Sequence, residues 1–115
     1  MSSSASPDRQ HQVYAMFNAR LRADIRRLVT PALIEEHRQA PLGPYSDALG
    51  RVVNFFRRPP HYGLYSPVPM RQWQIIALPI TPGSDPTPLD EVRYASEADA
   101  IHAVFLRHIA ELAAE

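Results

Sequence analysis

The chain has 115 residues, with 12 arginines, no lysine, 12 acidic residues and no cysteine, so its formal net charge is zero. This length fits one small domain. The absence of cysteine excludes disulfides and thiolate metal sites, and no apolar run approaches the roughly 18 residues that a membrane span needs. A neutral chain is also a poor candidate for nucleic-acid binding, which favours basic domains.

The N-terminal segment, residues 1–8, is rich in serine and is predicted to be a disordered tail. It lacks the apolar segment of a signal peptide, so we expect a cytoplasmic protein. Residues 9–115 are predicted to form a single small α+β domain. A first helix is expected from Asp8 to Val29, with Asp8 as a candidate N-cap. Its apolar residues are spaced by three and four positions: Tyr14, Phe17, Leu21, Ile25 and Leu28.

Two shorter helices are predicted next. Thr30 followed by Pro31 is typical of an N-cap and a first helical position, and this second helix should end before Pro41. Ser46 should cap a third helix that runs to about Arg58, where two prolines prevent its continuation. The apolar face of the third helix is formed by Leu49, Val52, Val53 and Phe56.

After residue 60 the pattern changes to β-branched and aromatic residues bounded by glycine and proline. The segments "YGLYSPV" and "QWQIIALPI" are predicted to be two antiparallel strands. Residues 81–91 are expected to be a loop, and "VRYA" one more short strand. Ser96 with Asp99 should start a last helix from Glu97 to about Ala113, with Phe105 buried against the first or third helix.

The predicted order is therefore three N-terminal helices, a small antiparallel sheet and one C-terminal helix, which is an α+β fold. No residue set within it predicts catalysis. His102 and His108 lie six positions apart, which is not the helical spacing of a metal site. His102 is better interpreted as a packed, hydrogen-bonded imidazole. The serines fit caps and turns, so we predict no catalytic, cofactor-binding or metal-binding residue on this chain.

The stretch "NFFRRPPHYGLY", residues 54–65, is dense in aromatic residues and arginine. It admits three interpretations: a base-stacking surface, part of a pocket, or a partner interface. The acidic C-terminal half, which carries three arginines against seven acids after residue 60, argues against the first. Aromatic residues and arginine are enriched at interface hot spots. We therefore predict a partner-binding corner, with helix capping by the arginines as the alternative. Its members are Arg57, Arg58, Tyr62, Tyr65 and Trp73.

Three blocks of the sequence resemble a known family. They are "VVNFFRRPPHYGLYSP", the strand "RQWQIIAL" that begins with tryptophan, and "RYASEADAIHAVFLRHIAEL". Together, over about residues 45–112, they resemble the small (alpha) subunit of N,N-dimethylformamidase and related bacterial proteins. The segment "HAVFLR", His102 to Arg107, is the most specific part of the likeness.

The resemblance implies an accessory role. In that family the catalytic iron lies in a large subunit that hydrolyses a small amide, and the small subunit supports its folding and assembly. It implies no cofactor on this chain, iron in the partner, and a hetero-oligomer with a large catalytic subunit. The substrate stays open, since Leu64 stands where a basic residue is expected. The alternative is a stand-alone α+β binding or homodimerisation module without an enzyme partner.

Overall fold

The computed structural model describes residues 7–57 and 61–115. Residues 1–6 and 58–60 lie outside this description, and with them Arg58, most of the predicted tail and the two prolines expected to stop the third helix. The described elements, in chain order, are α1 (Pro7–Leu28), α2 (Pro31–Gln39), α3 (Asp47–Phe56), β1 (Tyr62–Val68), β2 (Gln72–Ala77), β3 (Thr87–Pro88) and α4 (Glu97–Ala113). The α+β prediction is confirmed, with helices on both sides of the sheet in sequence.

Side-chain caps fix the starts of three helices, as predicted. The hydroxyl of Thr30 accepts the backbone N–H of Leu33 at 3.2 Å. The hydroxyl of Ser46 accepts that of Leu49 at the same distance, and Ser96 caps α4 in the same way. Each bond satisfies one of the backbone donors that a helix leaves free in its first turn. α1 begins at Pro7, one residue before the predicted N-cap.

The sheet is antiparallel, in the order β1-β2-β3. The strands β1 and β2 pair as predicted, with Leu64 opposite Ile75 and Tyr65 opposite Gln74, and the register shifts by a bulge between Tyr65 and Val68. Their connection turns through Met70, whose φ of 64° lies in the left-handed region.

Two details of the sheet differ from the sequence prediction. The expected loop 81–91 contains the short strand β3, which pairs with Ile76 and Ala77 of β2. Proline has no backbone N–H to donate to a sheet, but a two-residue edge strand needs few such donors, so the prolines of this segment are compatible with it. The expected strand "VRYA" is reduced to a single bridge, in which Tyr94 and Trp73 exchange two backbone hydrogen bonds of 2.8 Å.

One apolar core joins all four helices. Phe105, with 4% of its surface exposed, lies at its centre and contacts α2 and α3. Its predicted burial is confirmed. The buried members of this core are Ile25, Leu33, Leu49, Val52, Val53, Phe105 and Leu112. The predicted apolar faces of α3 and α4 supply most of them.

The predicted apolar stripe of α1 is buried only at its C-terminal end. Ile25 is 4% exposed and Leu28 packs against the core, whereas Tyr14 and Phe17 are each 65% exposed. α1 contacts α4 at this end, where the Arg26 side chain donates to the Leu112 carbonyl at 3.4 Å. The first half of α1 therefore has the apolar spacing of a packed helix, but no other element among the described residues covers its apolar side chains. No helix in the described part of the chain is long and apolar enough to cross a membrane.

Candidate functional site

A row of stacked rings crosses the domain where α2, α3, α4 and β1 meet. The ring of His37 lies on that of Phe105, with centroids 3.9 Å apart and planes 8° from parallel. Phe56 meets Phe105 edge-on at 5.8 Å and lies flat on His108 at 4.9 Å. Tyr62 meets His108 edge-on at 5.3 Å. We call the set His37, Phe105, Phe56, His108 and Tyr62 the aromatic row.

Local sequence explains how these rings come together. Positions 102, 105 and 108 are three residues apart, so the side chains of α4 that they carry lie along neighbouring turns. His37 stands in the last turn of α2 and Phe56 ends α3. Tyr62 is the first residue of β1. The other three members, His37, Phe56 and Tyr62, thus lie at element ends beside the helix α4.

His37 is buried, with 2% of its surface exposed, and it pairs with a second histidine. Its Nδ1 lies 2.8 Å from Nδ1 of His102. One of these nitrogens must carry a proton and the other a lone pair, so at least one of the two rings is neutral. The pKa of His37 is lowered to about 4, mainly by burial and also by the neighbouring His102, while Glu36 opposes the shift. Burial also lowers the pKa of His102. The predicted hydrogen-bonded packing of His102 is confirmed.

Two carboxylates lie beside this pair, and one of them links two helices. Glu36 accepts hydrogen bonds from the backbone N–H and the hydroxyl of Ser46, both at 2.7 Å, so it links α2 to the N-cap of α3. Those two bonds lower its pKa. Glu35 is held by Arg38 and Gln39, and the hydrogen bond from Arg38 is the main cause of a pKa of about 2. Both carboxylates are therefore anions with partners already in place.

The other end of the row carries a tyrosine and a glutamate. The hydroxyl of Tyr62 donates to Oε1 of Glu111 at 2.7 Å, and Arg107 lies over the Tyr62 ring at 5.8 Å. Burial raises the pKa of Tyr62, and the bond to Glu111 raises it further because it stabilises the protonated phenol. Burial lowers the pKa of His108, against the opposing charge of Glu111. At neutral pH this end of the row holds a neutral phenol and a neutral imidazole.

Two open cavities flank the aromatic row, with volumes of about 400 and 210 Å³. Both are lined by Phe56, His61 and His108. The larger is otherwise lined by Arg22, Phe55, Glu111, Leu112 and Glu115. The smaller is lined by His37, Tyr45, Val53, Arg57, Tyr62, Ile101, Val104 and Phe105. The smaller cavity has mostly aromatic and aliphatic walls, whereas the larger one also presents Arg22, Glu111 and Glu115. Concave, mostly apolar walls such as those of the smaller cavity suit the binding of an apolar or aromatic group.

The side chains of this region are arranged for packing and hydrogen bonding rather than for catalysis. The three shifted histidines have pKa values below their usual range, so the row carries neutral rings at pH 7. A nucleophile needs a base within hydrogen-bond reach, and the hydroxyls of Ser46 and Ser96 are used in helix caps. Within residues 7–57 and 61–115, no group of three or more His, Asp or Glu side chains could hold a metal ion.

The structure brings together only some of the predicted interface residues. Arg57 is the exposed C-cap of α3 and lines the smaller cavity with Tyr62. Alternation along the paired strands puts Trp73 on the same sheet face as Tyr62, and Tyr65, opposite Gln74, on the other face. Tyr65 is exposed and Trp73 is half-buried. Arg58 lies outside the described residues. A role of these residues in binding a partner stays a prediction.

Sequence reasoning missed the aromatic row as a unit. His37 and His102 are 65 residues apart in the chain, and nothing in a single sequence pairs them. One signal was present: the i, i+3, i+6 spacing of His102, Phe105 and His108 places both histidines near the apolar face of α4. Histidines at such positions indicate packed rings that need partners.

Comparison with known proteins gives a consistent result. The family model described as "N,N-dimethylformamidase alpha subunit" matches residues 12–115. A protein of that name from Alcaligenes sp is 34% identical over 117 residues, covering 94% of this chain and 86% of the relative. Another from Paracoccus aminophilus is 33% identical over 115 residues, covering 95% and 82%. The resemblance noted from the three sequence blocks is confirmed.

Proposed function

The chain belongs to the N,N-dimethylformamidase alpha subunit family, and on that premise we propose that it is a small non-catalytic accessory subunit of a dimethylformamidase-like, iron-dependent amidohydrolase. Its role is to support the folding and assembly of a large catalytic subunit in the cytoplasm. The observation that carries the proposal is the match to proteins named as alpha subunits over 94% and 95% of this chain.

The chemistry of the described residues supports a non-catalytic role. The acids at the aromatic row are already used: Glu36 binds the start of α3, and Glu111 accepts from Tyr62. The buried histidine pair holds α2 to α4. Groups committed in this way stabilise the domain, and an acid or base catalyst would instead have to face its substrate.

The iron that the family resemblance implies does not fit this chain in its described part. Iron sites use several His or carboxylate ligands together, and the described residues offer no group of three. We therefore assign the iron to the large subunit and derive no step of the reaction from this chain.

Co-expression tests the proposal. The large subunit of the same source is produced with this chain, without it, and with the Phe105→Ala variant as a folding-defective control. We expect soluble large subunit, co-elution with this chain in size-exclusion chromatography, and hydrolysis of a small formamide only with the wild-type chain. A large subunit that is soluble and active without this chain would contradict the assembly role.

The alternative is a stand-alone module that forms homodimers. The exposed apolar residues of α1 favour it to the extent that a second copy could cover them. Sedimentation of the purified chain distinguishes the two: a stable dimer that does not bind the large subunit supports the alternative, and a monomer that binds it supports the accessory role.

A further inference from the structure

The first half of α1 carries an apolar surface that the described chain leaves open. Five large side chains are exposed there, and we call them the α1 patch: Val13, Tyr14, Met16, Phe17 and Leu21. Val13, Phe17 and Leu21 follow each other at intervals of four, so they lie on one face of the helix. That face continues into Ile25, which is buried in the core. The patch is thus an extension of the domain's own packing surface.

Its size is that of an interface. Five side chains of this kind, mostly more than half exposed, present apolar surface on the order of 500 Å². A monomer rarely leaves more than a few hundred Å² of continuous apolar surface open. A stable complex buries about 800 Å² on each partner. The α1 patch would supply most of that area on this side.

The charge beside the patch indicates what covers it. Residues 9–23 contain three arginines and no Asp or Glu, and one of these arginines, Arg22, is paired with Glu115 at 3.1 Å. Arg20 is exposed and lies one helical turn from Phe17 and Met16, so it adjoins the patch. If two copies of α1 packed on each other, Arg20 would face an apolar strip, with no acid in residues 9–23 of the second copy to pair with it.

A partner with acidic residues around an apolar groove fits both features. We propose that the α1 patch docks into such a groove on the large subunit, with Arg20 against a carboxylate at its rim. This inference rests on the proposed function, because it takes the large subunit as the partner. It also differs in its residues from the predicted corner around Arg57, which is the C-cap of α3.

The test compares Phe17→Asp with Ile80→Asp, which places the same charge at a fully exposed apolar residue outside α1. Binding of each chain to the purified large subunit of the same source is titrated. We expect Phe17→Asp to weaken binding about 30-fold or more, as for an interface hot spot. Ile80→Asp should bind like the wild type. Because Phe17 is exposed in the isolated chain, both variants should keep the wild-type melting temperature.

A charge reversal tests the rim. Arg20→Glu should weaken binding most at low salt, since an attraction between surface charges is screened as ionic strength rises. If Phe17→Asp binds as tightly as the wild type, the docking surface is wrong and the accessory role stands. If the wild-type chain does not bind the large subunit, both proposals are overturned. If the wild-type chain is a dimer that Phe17→Asp separates, the occupant is a second copy and this inference is wrong.

Discussion

His37 is a polar residue that the core holds as a neutral ring. It is stacked on Phe105, lies near-parallel to Tyr45 at 6.0 Å, and is hydrogen-bonded to His102. Protonation of His37 would place a charge in a site that is 2% exposed to water. If His102 also carried a proton, the two Nδ1–H groups would point at each other and the bond between them would be lost.

The stability of the domain should fall between neutral pH and pH 4. The unfolded chain protonates His37 near its usual pKa of 6.5, whereas the folded chain holds that pKa at about 4. Unfolding therefore takes up a proton in this range. The contribution of His37 is complete above about pH 6.5 and is lost as the pH falls towards 4, with a total on the order of 3 kcal/mol. Urea unfolding at several pH values measures this.

The matched variant for this prediction is His37→Phe, which keeps an aromatic ring and removes the titrating group. Glu35, Glu36, His102 and His108 also have lowered pKa values and contribute to the pH dependence of both proteins. The variant should therefore show a smaller pH dependence, and not a flat one. Parallel curves for the two proteins between pH 6.5 and 4 would contradict the assignment to His37.

Phe105 is expected to be the most costly single truncation of the row. Its ring contacts His37 and Phe56, so Phe105→Ala removes a buried aromatic from a site formed by three helices. The loss should be about 3–5 kcal/mol of unfolding free energy. The neighbouring Leu106 is 41% exposed, and Leu106→Ala should cost under about 1 kcal/mol. Similar losses for the two variants in urea melts would mean that Phe105 does not anchor the core.

Arg57 gives a separate test of the interface predicted from sequence. It caps α3 and is exposed in the isolated chain. If it pairs with a carboxylate of the large subunit, Arg57→Ala should weaken binding by about 2–5 kcal/mol, because that carboxylate is left unpaired. If it only caps the helix, the effect is under about 1 kcal/mol and falls on stability. Unchanged affinity of Arg57→Ala would refute its role at the interface.

At the scale of elements, the helix α3 could be stabilised by replacing its one glycine. Gly50 lies in the middle of this helix, and a Cβ built on it meets no atom within 4 Å. Gly50→Ala should therefore stabilise the domain by about 0.5–1 kcal/mol, because glycine loses more backbone freedom in a helix. Gly83 is the control: it also has open space, but its φ of +87° disfavours alanine. A destabilised Gly50→Ala would indicate a contact at this position that only glycine permits, for example with a partner.

Helices and the main hairpin could be predicted because their signals are local. Thr30, Ser46 and Ser96 each stand directly before an apolar repeat, and a capping bond involves residues only three positions apart. The strand β3 could not be found in the same way. Its two residues pair with Ile76 and Ala77 because the outer edge of β2 offers backbone partners. The sequence of residues 81–91 holds three prolines and no run of strand-forming residues, so it predicts a loop.

At the scale of the whole molecule, the candidate site could not be predicted from local sequence patterns. The aromatic row joins His37, Phe56, Tyr62 and His108 from four elements. Phe56 and Tyr62 lie in the aromatic stretch 54–65, but no local pattern connects that stretch with His37 or His108. Helical spacing on α4 could show that His102 and His108 lie near an apolar face. Only the packing of α2 against α4 decides that His37 is the partner of His102. The family, in contrast, could be identified from three short blocks because they hold specific residue combinations.

The exposed half of α1 should be only marginally stable in the free chain and should become more stable when a partner covers it. Isolated helices shorter than about 12–15 residues are marginal in water, and most helical stability in proteins comes from packing one apolar face. In this chain the face is packed at Ile25 and exposed at Phe17. Backbone amides of residues 10–20 should therefore exchange with solvent within about tenfold of an unstructured peptide, whereas those of Val52 and Val53 in the core are strongly protected. When the large subunit is added, protection of residues 10–20 should rise, because the α1 patch is then covered, and that of Val52 and Val53 should change little.

Hydrogen exchange measured by mass spectrometry on the free and the bound chain tests both statements. Strong protection of residues 10–20 in the free monomer would show that α1 is stable without a partner, and no gain on binding would mean that the patch stays open in the complex.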